Sequence, residues 1–165
     1  MACKNCSKKP VWEFTNQTKL CRSGFVRYFE KKMLKIVRKY GMRNSKLVKK
    51  DDLRGKIINN VMGKIVTNKG KKLEIENLND YSVRILEVLM SKDIKKFDCL
   101  LPNYKPLYFF TDAEILLYAK IKNIKGKIVR KMTGKEKKID DFLIHLENGN
   151  KDIRHNVVNS LLRLG

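Results

Sequence analysis

Three cysteines near the start of the chain have the type and spacing for metal chemistry. Cys3-Lys4-Asn5-Cys6 is a C-x2-C turn, and Cys21 follows in the segment Leu20-Cys21-Arg22-Ser23-Gly24-Phe25. A C-x2-C turn aims two thiolates at one tetrahedral ion, usually zinc. A second such pair is expected after about 15–20 residues. It starts at Cys21, but Gly24 stands where its other ligand would stand. The candidate ligands are therefore Cys3, Cys6 and Cys21, a zinc-knuckle-like set of three. Water or another group would fill the fourth position, and the ion would exchange more readily than in a closed site. Two readings stay open: a zinc site or its decayed remnant, and three free thiols. A disulfide is not expected inside a cell. Cys99, between Asp98 and Leu100, reads as a small core residue.

Little else in the chain has catalytic spacing. His145 and His155 fall on separate segments without an evident catalytic companion. No G-x-G-x-x-G, G-x-x-x-x-G-K-[ST], H-E-x-x-H or G-x-S-x-G occurs. The nine glycines are scattered singly. A glycine-rich phosphate cradle, which needs converging backbone N–H groups, is not evident.

Charge points to a partner class. The chain of 165 residues carries a net charge of +21. Residues 1–72 hold 21 Lys/Arg against 4 Asp/Glu, whereas residues 73–165 hold 17 against 13. So uneven a distribution suggests a phosphate-rich partner rather than general surface charge. Hydrophobic content of 42% is enough for one core. No apolar run approaches the ~20 residues of a membrane span, and no signal-peptide pattern appears. A cytoplasmic protein without a membrane partner is expected.

Helices must position these groups. Phe25, Phe29, Met33, Ile36, Val37 and Tyr40 form one face of a helix over 25–40, and Arg27, Lys31, Lys35 and Arg38 form the other. Gly41 suits its C-terminal cap. Lys46, Lys49 and Lys50 in the following linker would add phosphate contacts. A basic amphipathic helix can bind nucleic acid, lie on a membrane or simply be solvated. The adjoining knuckle favours nucleic acid.

Leu53, Ile57, Val61 and Ile65 mark a helix from Asp51 that fades near Gly70. Leu73 and Ile75 alternate with Glu74 and Glu76, as in a short strand. Ile85, Leu86, Leu89 and Met90, with Tyr81, give a helix capped by Asp80. Leu107–Phe110 is an apolar run suited to a buried strand. Thr111-Asp112-Ala113-Glu114 is a capping box with Phe110 and Ile115 as its staple. Lys125 to Lys138 is a basic loop that either touches phosphate or is a mobile surface loop. Phe142, Leu143 and Leu146 mark a short helix, and Asn150 caps a last one bearing Ile153, Val157, Leu161 and Leu162. The fold class expected is mostly α with a small β component. Its divisions are the knuckle at 1–24, the basic helix and linker at 25–50, and a domain at 51–165.

Cys3-x-x-Cys6, Leu20-Cys21-x-x-Gly24-Phe25 and Phe29-Glu30 together resemble the N-terminal knuckle of the cytosolic and archaeal tRNA 2-thiouridine synthetases, which are PP-loop ATP-pyrophosphatases. That family carries Cys or His where Gly24 stands. Ile75-Glu76-Asn77-Leu78-Asn79-Asp80 resembles its G-H-N-L-D-D motif, and Lys105-Pro106-Leu107 and Leu117-Tyr118-Ala119 match later family wording. The resemblance implies a reduced PP-loop-like α/β domain, with Asn77 and Asp80 as the remnant of a nucleotide site. The family's S-G-G-x-D-S loop, its internal catalytic cysteines (which in some members hold an iron–sulfur cluster) and its C-terminal zinc ribbon have no counterpart here. Glu76 replaces a histidine and would repel a nucleotide phosphate. The implied function is tRNA binding by a non-catalytic relative, without ATP of its own, beside a full-length thiolation enzyme or sulfur carrier protein. The alternatives are a sulfurtransferase subunit that completes its ATP site with a partner chain, and a basic knuckle protein with another RNA or ribosomal target.

Overall fold

A computed structural model describes residues 2–4, 6–48, 51–67, 69–91 and 100–163. The apolar stripe of the long basic helix becomes its centre. Phe25, Phe29, Met33, Ile36 and Val37 are all buried on helix α1, Arg22–Lys39. Helix α1 ends where Gly41 takes the left-handed conformation (φ 62°), which a glycine adopts without steric cost. Before α1, strands β1 (Pro10–Glu13) and β2 (Lys19–Cys21) pair antiparallel. After it come α2 (Leu53–Met62), α3 (Leu78–Ser91), α4 (Asp112–Lys122), α5 (Gly134–Glu147) and α6 (Ile153–Leu162). The fold is mostly helical with a small β component.

Aromatic rings carry the packing from the hairpin into the centre. Trp12 lies 5.4 Å from Phe25, and Phe29 stacks on Tyr118 of α4 at 4.2 Å. Such a stacked pair adds about 0.5–1.5 kcal/mol beyond the area it buries. The core continues through Ile57, Ile58 and Met62 of α2 and Tyr81 and Ile85 of α3 to Val158 of α6. A smaller cluster of Val83, Ile139 and Leu143 fixes α5 on α3.

Several local expectations change. Helix α3 begins at Leu78, so Asp80 lies in its first turn rather than at its cap. Its inner face is Leu78, Tyr81, Ile85 and Val88, while Leu89 is 45% and Met90 66% exposed. Residues 73–77 form no strand; Lys72 makes one isolated bridge to Lys46, and Glu74 N–H donates to the Tyr104 carbonyl. Leu107–Phe110 is not a strand but tight turns, with Tyr108 N–H bonded to the Lys105 carbonyl and Phe110 N–H to that of Leu107. Pro102 and Pro106 cannot donate to a ladder, which favours turns. Asp152 rather than Asn150 caps α6, and Asn150 Oδ1 instead accepts from Asp152 N–H. Arg154 and Val158 are buried on α6, whereas Ile153, Val157, Leu161 and Leu162 are half-buried. The capping box at Thr111 and Glu114 is present. A second one, Thr133 with Glu136, starts α5 well before Phe142.

Candidate functional site

The hairpin brings three sulfurs together. Phe14 N–H bonds to Thr18 O at 2.9 Å and closes the turn, where Gln17 takes φ 63°. Lys4 N–H donates to the Lys19 carbonyl at 2.9 Å, which lays the C-x2-C turn against β2. Cys6 N–H donates to Cys3 O within that turn. Cys21 is the last residue of β2 and the N-cap of α1. As a result the sulfurs of Cys3, Cys6 and Cys21 lie within 4.8 Å of one another, and those of Cys6 and Cys21 are 3.5 Å apart. A tetrahedral ion with metal–sulfur bonds of ~2.3 Å holds its thiolates about 3.8 Å apart. The donor set and its spacing fit one such ion.

The surroundings favour thiolate at Cys21. The Ser23 hydroxyl, 3.4 Å from its sulfur, and then the Gly24 N–H at the start of α1 hold this thiol down to about 6. A helix N-terminus lowers a thiol for the same reason that it attracts any anion. At Cys6 the Lys8 N–H pulls downward, but hydrogen bonding to Cys21 and burial leave it raised overall. Gly24 sits against two of the sulfurs. A Cβ there would lie 3.6 Å from Cys21 Sγ and 3.8 Å from Cys3 Sγ.

A cleft of about 870 Å³ opens against Cys21 and Ser23. Lys8 and Lys9 line it from the hairpin side, Arg22, Arg27 and Lys31 from α1, and Lys122 from α4. Among the described residues Glu30 is the one carboxylate on its wall, and it is engaged by Lys122 at 3.0 Å and the Tyr118 hydroxyl at 2.8 Å. Val26, Leu34 and Ile121 form the floor. Cations around an apolar floor suit a phosphate backbone and the bases or sugars attached to it.

Of the sequence-derived cations, Arg27 and Lys31 face this cleft, while Lys35 and Arg38 are exposed farther along α1. From Arg27 to Arg38 the helix rises about 16 Å. Lys46 is exposed beyond the helix, and Lys49 and Lys50 lie outside the described residues, as does Cys99. Lys8, Lys9, Arg22 and Lys122 escaped the helical-face reading. The first three flank the cysteines in sequence and could have been found there; Lys122 required knowing that α1 packs on α4.

Asn77 and Asp80 come together at a different place. Asp80 is held by both Arg54 and Arg130, and Asn77 is buried with its amide donating to Asp112 at 2.7 Å. Arg130 also reaches Asp112 at 2.6 Å, and Arg54 pairs with Asp52 at 2.9 Å. Glu76 is flanked by Arg84 and Lys105. His155 packs on Phe109 at 4.7 Å, and His145 is exposed on α5.

No protein-family model matches the sequence, and no curated protein matches it. Among solved structures, the chain shares its fold with the U34-tRNA thiolase NcsA from Methanococcus maripaludis, determined with its [4Fe-4S] cluster. The TM-score is 0.76 at 12% identity, over 99% of this chain and 87% of that one. At that identity the likeness is one of fold.

Proposed function

We propose that this chain binds tRNA in the basic cleft beside its cysteine knuckle and serves in tRNA thiouridine modification without ATP chemistry of its own. The observation that carries the proposal is the cleft: six cations from three parts of the chain converge where Cys21 starts α1. The shared fold with a U34-tRNA thiolase supports the choice of tRNA among nucleic acids. Arg27, Lys31, Lys35, Arg38 and Lys46 contact backbone phosphates, with Lys49 and Lys50 in the same stretch of sequence.

In this reading Cys3, Cys6 and Cys21 hold one metal ion, which fixes the knuckle and so the positions of Lys8 and Lys9. Sulfurs this close favour a single ion such as zinc. A four-iron cube sets its thiolates farther apart, and because the solved thiolase holds one, iron is the alternative to measure. The absence of a catalytic role is supported by Asp80, whose carboxylate is taken up by two arginines. The partner for chemistry would be a full-length thiolation enzyme or a sulfur carrier protein in the cytoplasm. Among the described residues no helix is long and apolar enough to cross a membrane.

The test is tRNA binding by the metal-loaded chain across a salt series. Each neutralised phosphate contributes a log–log slope of roughly 0.7–0.9. Reversing Lys31 and Lys35 to Glu should weaken all tRNAs alike and flatten the slope. Salt-independent binding, or none, would overturn the proposal.

A further inference from the structure

Residues 124–133 join α4 to α5 without forming helix or strand, yet they are held along their length. Leu53 N–H donates to the Lys127 carbonyl at 3.0 Å, and Val129 N–H donates to Asp52 Oδ2 at 2.8 Å. Arg54 Nη2 donates to the Val129 carbonyl at 2.8 Å, and Lys56 Nζ to that of Lys125 at 2.7 Å. Arg130 is locked by Asp80 and Asp112. Gly126 packs on the start of α2, where a Cβ would lie 3.4 Å from Leu53 Cα.

The side chains of this strap alternate. Ile124, Ile128, Arg130 and Met132 are half-buried, while Lys125, Lys127, Val129 and Lys131 are exposed. Residues two apart in extended backbone are about 6.6 Å apart, comparable to successive phosphates of an extended nucleic-acid strand. Lys135, Lys137 and Lys138 continue the exposed charge onto α5. Among the described residues none of these six lysines is paired with a carboxylate. The strap begins just after Lys122, which lines the cleft. Groups of α2, α3 and α4 are thus committed to holding a row of exposed lysines in one shape. A ligand that binds it need not order the backbone first.

We infer that the strap is a second nucleic-acid contact, taking the sugar–phosphate backbone of an RNA strand that leaves the cleft past Lys122. The inference rests on the tRNA-binding reading and extends it, because it requires an RNA long enough to reach from cleft to strap. It resolves the basic loop into a built surface rather than a mobile one.

The experiment compares wild type with Lys125→Glu/Lys127→Glu/Lys131→Glu in a salt series, on tRNA and on a short oligoribonucleotide that fills only the cleft. The triple variant should lower the tRNA salt slope by about 2 if the strap meets a single strand, at roughly 0.7 per phosphate. The short RNA should bind both proteins equally. A triple Lys→Gln variant should show the same direction with a smaller loss, and it is the one read if the Glu variant does not fold by circular dichroism. Unchanged tRNA slope in the variants, with wild type binding normally, overturns the strap alone. A wild type that binds no tRNA overturns the reading beneath it.

Discussion

Gly24 faces the sulfur of Cys21: a carbon placed on Gly24 would stand 3.6 Å from Cys21 Sγ, in ordinary van der Waals contact. A side chain here would start beside two of the three sulfurs, and glycine has none to offer a metal. Gly24→Cys should therefore close the site and slow metal release to a chelator by orders of magnitude. Gly24→Ala is the control, since it gains helix propensity of up to about 1 kcal/mol without adding a ligand. Equal release from the two variants would show that the fourth position does not lie at residue 24.

Asp52 joins the cap of α2 to the strap. Its carboxylate accepts from Arg54 N–H at 2.7 Å, from the Arg54 guanidinium and from Val129 N–H. The Arg54 and Asp52 side chains are almost completely buried. Asp52→Ala should cost about 3 kcal/mol, the lower end for breaking a buried pair, because Asp80 still holds Arg54. It should also expose the strap to trypsin at Lys125, Lys127 and Lys131. Limited proteolysis at a temperature where the variant remains folded checks this, and an unchanged cleavage pattern would refute it.

His155 supplies a pH dependence. Burial first, and Lys32 second, lower its affinity for a proton in the fold. The unfolded chain then binds the proton more readily, so stability rises with pH across this transition. The contribution is complete above the ordinary imidazole value near 6.5 and is lost as pH falls from there toward the lowered folded value. Carboxylates titrate in part of the same range, so the measurement is a difference. Melting temperature between pH 5.5 and 7.5 should change less in His155→Gln than in wild type. An identical change in both would contradict the assignment.

ATP provides a fourth check. Asp80 is paired with Arg54 and Arg130, and Asn77 is buried against Asp112. Titration of the chain alone with ATP should give no saturable binding and no AMP or pyrophosphate. Saturable binding that Asp80→Ala abolishes would overturn the non-catalytic reading. Repeating the titration with a full-length thiolation enzyme separates loss of the activity from its completion by a partner.

Helix α1 was legible because its apolar and basic faces separate cleanly and its end carries a glycine; every apolar residue from Phe25 to Val37 on that face is buried. The capping box at Thr111 was legible because its hydrogen bonds are local. Leu89 and Met90 misled because apolar residues crowd the end of α3 on more than one face, and sequence period alone does not say which face meets α6. Glu74 and Glu76 imitate strand alternation, but among the described residues no neighbouring strand pairs with them; they instead meet Lys105. The β1–β2 hairpin was missed because its strands are only 4 and 3 residues long. The cleft was half legible: Arg27 and Lys31 share a helical face, whereas Lys122 joins them only through tertiary packing.

The central claim is that tRNA lies in the cleft beside the cysteines, and lysine footprinting tests it most directly. The metal-loaded chain is acetylated with and without tRNA, and each lysine is read by mass spectrometry. Lys8, Lys9, Lys31, Lys35 and Lys122 should be protected, and Lys125, Lys127 and Lys131 with them. Lys64, Lys71 and Lys151, exposed outside both surfaces, should react equally in the two samples. Protection confined to those last three lysines, or spread evenly over all, would contradict the account.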